Sequence, residues 1–266
     1  MPRERKILLV IEGEKAEKRL LEAALSRYGI NGGFKLYPYQ ANINMLYHDI
    51  CDEDGSIPDD LDTMQVLKER ERKLNPGFES DSRHVLLQRY TDILFVLDFD
   101  PHHAQAATDH ALIMTEHFTD STDEGKLLVN YPMVESYRHL RALPDTDYLS
   151  RVVSRKDCSR YKEIVGEDAL PKLKQLSRYE RATFDQIISH NYFKATRMIG
   201  VDALDLATCE KAIMKAQARM LAETNTLCVL NTCLFFMLDY WPSRIELEDP
   251  YSVIRPTIPE EQRGNG

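Results

Sequence analysis

No apolar run in this 266-residue sequence approaches the roughly 20 residues needed to cross a bilayer; the longest are "ILFVLDF" and "CVLNTCLFFML". The opening "MPRERK" lacks the apolar segment of a secretory leader, so the expected location is the cytoplasm, with no membrane partner. The five cysteines are odd in number and contain no CxxC pair, which argues against a secreted disulfide framework and against structural zinc. Basic residues are in deficit, 34 Lys and Arg against 43 Asp and Glu, a net charge of −9. The surface as a whole therefore does not attract phosphate, and a nucleic-acid partner would need a metal, a local basic patch or a second protein. No GxxxxGK[ST] occurs, nor any internal repeat or low-complexity tract.

With 43% hydrophobic residues, the chain can bury one sizeable core and carry insertions. "KILLVIE" reads as a strand buried on both faces, and Ala16, Leu20, Ala23 and Ala24 then follow helical spacing until "YGINGG". "FKLYPYQ" fits a second strand, and residues of about 41–82 read as a charged helical insertion. "DILFVLDFDP" resumes the sheet, "HAQAATDHALIMTEHF" fits a helix, "GKLLVNYP" a strand and "MVESYRHLRAL" a helix. That order predicts an α/β fold, a mostly parallel sheet flanked by helices, over residues 1–145. No strand is expected beyond about residue 145. Residues 146–255 read as a helical C-terminal lobe and 256–266 as a frayed tail.

Ligands of open α/β sheets bind beyond the carboxyl ends of the strands. Three predicted strands end in acids: Glu12 after the first, Asp98 and Asp100 in "VLDFD", and Glu135 after "NYP". Alternation along a strand points Asp98 and Asp100 to one side and Phe99 to the other. Gly13 leaves room for a tight turn or a phosphate, and Glu17, on the first turns of the helix, can add a further ligand. Any one such acid is more often a solvated loop residue or a helix cap. Together they need a cation, and an oxygen-only set suits Mg²⁺ or Mn²⁺ better than zinc. Phosphodiester hydrolysis is the chemistry that uses such a set.

"VIEGEKAEKRLLEAAL" followed by "ILFVLDFDPHH" resembles the Toprim domain of topoisomerases, DnaG-type primases and OLD-family nucleases. Within that group "EGEKAE" and "VNYPMVESYRHL" are similar to motifs of the RloB-like and OLD-like antiviral defence proteins, although Ala16 stands where threonine is common and Tyr131 separates Asn130 from Pro132. The resemblance covers roughly residues 6–143, apart from the insertion, and has no counterpart for the C-terminal lobe. It implies a divalent-metal nuclease cutting DNA or RNA, with Glu12, Asp98 and Asp100 catalytic, Glu12, Glu17, Asp98, Asp100 and Glu135 around Mg²⁺ or Mn²⁺, and His139 one helical turn after Glu135. It further implies an anti-phage effector controlled by an ABC or SMC-like ATPase, here a separate polypeptide. A non-catalytic Toprim-scaffold sensor subunit, and a phosphohydrolase with Asp98 as nucleophile, stay open as alternatives.

Other residues carry weaker signals. His102 and His103 follow the DxD directly, where an imidazole could contact phosphate or move a proton. His103, His110 and His117 recur every seven residues, about 10 Å per step along a helix, too far apart for one ion. "SRVVSRKDCSRYK" concentrates Arg151, Arg155, Lys156, Arg160 and Lys162, a solvated face or a phosphate-binding strip in which Arg155 and Lys156 are the candidate cations. The apolar stripe with Phe235, Phe236 and Trp241 is core or an oligomer interface.

Overall fold

The computed structural model describes residues 5–101 and 104–252. Among these, β1 (Ile7–Ile11), α1 (Ala16–Arg27) and β2 (Phe34–Pro38) are followed by α2 (Ile43–Ile50) and α3 (Thr63–Leu74), then by β3 (Asp92–Asp98), α4 (Ala104–His117), β4 (Thr119–Asp120) and β5 (Gly125–Tyr131). The C-terminal part contributes β6 (Val152–Ser154), α5 (Tyr161–Asp168), α6 (Arg181–Ile199), α7 (Cys209–Thr224), β7 (Thr226–Cys228), β8 (Leu230–Asn231) and α8 (Phe235–Tyr240).

The main sheet has the order β2-β1-β3-β5-β4, with β1, β2, β3 and β5 mutually parallel. All five residues of β1 and all seven of β5 are buried, as expected for strands covered on both faces. The expected mixed α/β class with a largely parallel sheet is therefore what forms. Its register pairs Ile11 with Val96 and Asp98 with Asn130, so the last residues of β1, β3 and β5 reach one edge. The insertion forms α2 and α3, capped by the side chains of Asn42 and Asp62. No helix among the described residues is long and apolar enough to cross a membrane.

Two expectations differ from the structure. Strands do occur beyond residue 145. β6 pairs with β7 antiparallel, and β8 pairs antiparallel with the end of β5, Asn130 opposite Asn231. The mostly apolar stretch around "CVLNTCLFFML" hides β7 and β8, because periodicity cannot separate a short buried strand from a buried helix, and β6 is only three residues long. The visible break is Asn225, whose φ of 55° ends α7. Through β8 and the packing of α6 and α7, the C-terminal residues share one continuous hydrophobic core with the sheet.

The second difference is "MVESYRHLRAL", which is not an α-helix but a 3₁₀ segment, Val134–Arg138. The segment is tied to β8 instead: the Val134 carbonyl accepts from Asn231 Nδ2 (3.1 Å), and the Ser136 side chain donates its Oγ hydrogen to the Leu230 carbonyl (3.1 Å). The stripe containing Phe235 and Phe236 is core, and Trp241 packs half-buried at its margin. The frayed tail expected at 256–266 lies outside the described residues.

Candidate functional site

Beyond the carboxyl ends of β1 and β3 lies a cleft of about 300 Å³ lined by Glu12, Asp98, Asp100, Pro101, Pro132, Met133, Cys158 and Ser159. Glu12 continues the β1 ladder by donating its N–H to Val96 O (3.2 Å). Its Oε2 accepts the N–H of Asp98 at 2.9 Å, so two acids 86 positions apart are joined by one bond between adjacent strand ends. Asp100 lies two residues past β3, and the expected alternation holds: Phe99 is fully buried, while Asp98 and Asp100 are half-buried and border the cleft.

Glu17, on the first turn of α1, and Glu135, in the 3₁₀ segment, are both buried, at 6% and 7% exposure. A Cβ at position 13 would stand 3.2 Å from Glu17 Oε2, so Gly13 is what allows that carboxyl to fold back against the turn. Lys162 Nζ lies 3.4 Å from Glu135 Oε1.

Burial pushes Glu12 up to about 7, with the charges of Glu17 and Asp100 adding to the rise and the hydrogen bond from Asp98 N–H opposing it. Asp98 is raised well above the usual carboxylate range by burial, then by Glu12 and Glu17. Glu17 is raised by burial and by Glu135, while backbone N–H groups and Lys162 moderate the shift. Neither Glu12 nor Asp98 has a basic ion-pair partner among the described residues. Among the described residues no three His, Cys, Asp or Glu side chains are grouped so as to hold a metal ion. The three acids that line the cleft, Glu12, Asp98 and Asp100, offer carboxylate oxygens, the donor type that Mg²⁺ or Mn²⁺ takes.

Sequence reasoning missed the groups that hold these acids. Asn130 Nδ2 donates to Asp98 Oδ1 (2.9 Å), and Asn231 Nδ2 donates to Asn130 Oδ1 (2.8 Å). The chain Asn231–Asn130–Asp98–Glu12 thus runs from β8 to β1 across the sheet. Asn130 stood in view inside "VNYP"; Asn231 gave no signal, because the strand carrying it was unrecognised. Lys162 was visible only as one cation in a basic run.

The remaining candidates divide. Arg155 is brought to the site: its Nε donates to Pro101 O (2.8 Å), directly after the DxD, and Cys158 and Ser159 of the same segment line the cleft. Lys156 is exposed, and nothing places it at the cleft. His139 is not on a helical face with Glu135. It contacts the Tyr161 hydroxyl (2.8 Å) and Asp168 (3.3 Å), and burial lowers it to about 4, which makes it a neutral structural residue. His110 stacks on Tyr47 with ring centroids 3.7 Å apart, and His117 pairs with Glu124. His102 and His103 lie outside the described residues.

Comparison with protein-family models, with curated proteins and with solved structures found no match for this chain.

Proposed function

We propose that this chain is a divalent-metal-dependent nuclease of Toprim type that hydrolyses phosphodiester bonds at the carboxyl edge of its parallel sheet. The observation that carries the reading is the direct bond between Asp98 N–H and Glu12 Oε2, which joins the Glu-Gly turn and the DxD at one cleft.

Glu12, Asp98 and Asp100 are the acids that would hold a cation, with Glu17 and Glu135 behind them. A bound Mg²⁺ or Mn²⁺ supplies charge neutralisation and Lewis-acid polarisation of a phosphoryl oxygen. Asn130 fixes the orientation of Asp98, and the Asp98 N–H fixes that of Glu12. Without a cation, burial and the neighbouring acids raise Glu12 to about 7, and a bound cation would favour its charged, metal-holding form. The Arg155 guanidinium, tethered to Pro101, is the cation best situated to meet a phosphate, with Lys162 beside Glu135. The anti-phage role and the control by a separate ATPase rest on the sequence resemblance alone.

The test is a cleavage assay on DNA and RNA with the purified chain, with Mg²⁺, Mn²⁺ or EDTA, against Glu12→Gln. Cleavage that requires the metal and disappears in the variant supports the reading. Wild-type cleavage by the variant would refute it.

A further inference from the structure

At the opposite, amino end of the sheet a cleft of about 460 Å³ opens where β1 begins, within the roughly 300–1,000 Å³ of small-molecule sites. Its walls include Arg5, Gly29, Gly32, Tyr240, Trp241 and Arg244. Three features converge there.

The first is cationic. The Arg5 guanidinium lies 4.8 Å from the Tyr240 ring centroid, and its side chain has no carboxylate partner among the described residues. Arg244 donates Nη1 to the Tyr28 carbonyl (2.6 Å), and it too lacks an acid among those residues. In a chain of net charge −9, two arginines facing one cleft with no acid partner among the described residues are a place for an anion. A guanidinium fork matches phosphate bidentately.

The second is aromatic. Trp241 sits half-buried against Tyr240 (centroids 5.6 Å apart) and Phe236 (6.3 Å), and forms part of the cleft wall. Such a wall takes a planar base by stacking.

The third is the "YGINGG" turn. Gly29 has φ +70° and packs close to Arg244, a Cβ there standing 3.7 Å from Nη1. A Cβ at Gly32 would meet nothing within 4 Å, so a ligand can approach this backbone unhindered.

We infer that this cleft binds a nucleoside phosphate, with the base on Trp241 and the phosphate between Arg5 and Arg244. The ligand is either a free nucleotide or one unit of a single strand. The site is distinct from the carboxylate cleft and does not depend on that cleft's chemistry.

Trp241 is the single tryptophan of the chain, so its fluorescence reports the cleft alone. The experiment titrates the full chain in EDTA, which silences metal chemistry, with AMP, adenosine, inorganic phosphate and a short single-stranded oligonucleotide. Saturable quenching by AMP, tighter than by adenosine or phosphate alone, assigns a free nucleotide. Saturable quenching by the oligonucleotide alone assigns a strand. In either case Arg5→Ala and Arg244→Ala each weaken binding by about tenfold, the scale of one lost charge-assisted contact. Because Arg244 also holds the Tyr28 carbonyl, Arg5→Glu, which breaks no protein hydrogen bond among the described residues, guards against a folding effect. No saturable change with either ligand, phosphate binding as tightly as AMP, or binding unchanged in Arg5→Glu would overturn the inference.

Discussion

At the carboxyl end of the parallel strands, Glu12, Asp98 and Asp100 line one cleft with Glu17 and Glu135 buried beside it; at the amino end, Arg5 and Arg244 face another across Trp241. The two clefts lie at opposite ends of β1, whose five residues span about 17 Å. In a parallel sheet the strand termini point the same way, so side chains just past each end can be specialised separately without disturbing the apolar strands between them. The two ends carry charge of opposite sign, and on the functions proposed above one takes a cation and the other an anion.

The largest break in this comparison comes from the acidic edge. Asp98→Ala or Glu12→Ala is expected to reduce metal-dependent cleavage by about 10³-fold or more, because the acids act as a unit. Circular dichroism should find the fold intact, since the lost carboxylates repel one another.

Next is the chain of amides that aims Asp98. Asn130→Ala removes a fully buried side chain bonded to both Asp98 and Asn231, and leaves Asp98 Oδ1 without its side-chain donor. A stability loss of about 1–3 kcal/mol in urea melts is expected, together with about a tenfold fall in kcat and little change in KM.

Glu210 sharpens the comparison by showing what an acid looks like away from both clefts. On the first turn of α7, it is buried with neither oxygen in a well-formed hydrogen bond among the described residues, although Thr232 and the Val129 backbone lie near enough to moderate its charge. Burial raises it from 4.5 to about 8. The unfolded chain releases this proton near 4.5 and the folded chain holds it to about 8. The stabilisation is therefore complete below 4.5 and lost as pH rises through 8. Glu210→Gln should match wild type at pH 5 and exceed it by about 1–3 kcal/mol at pH 9, by thermal melts. A raised pKa alone thus does not mark a functional acid; access to a cleft must accompany it.

The smallest effect is expected from crossing the two ends. Arg5→Glu should leave Mn²⁺ affinity at the acidic edge within about twofold, since charges separated by more than the length of β1, about 17 Å, are screened beyond the Debye length of about 8–10 Å. A large change, read by calorimetry, would mean that the two ends are coupled.

Much of this was legible in the sequence because it is local. "KILLVIEGEKAEKRLL" specifies a buried strand, a turn and a helix within 16 residues, and "DILFVLDFDP" fixes by alternation which acids share a side. Contacts set by distant partners were not legible. The 3₁₀ form of Val134–Arg138 depends on Asn231 and Leu230, roughly 95 residues away, and the pairing of Lys162 with Glu135 follows from the fold of the whole C-terminal part. Trp241 read only as core or interface, because neither Arg5 nor "YGINGG" announces that it will meet residues 240–244.

The central claim is that Glu12 and Asp98 jointly hold a divalent cation. Calorimetric titration of Mn²⁺ into wild type, Glu12→Gln and Asp98→Asn tests it most directly, because both substitutions preserve shape while removing charge. The account predicts saturable binding to wild type at neutral pH and its loss in each variant; equal binding in all three, or none in wild type, would contradict it.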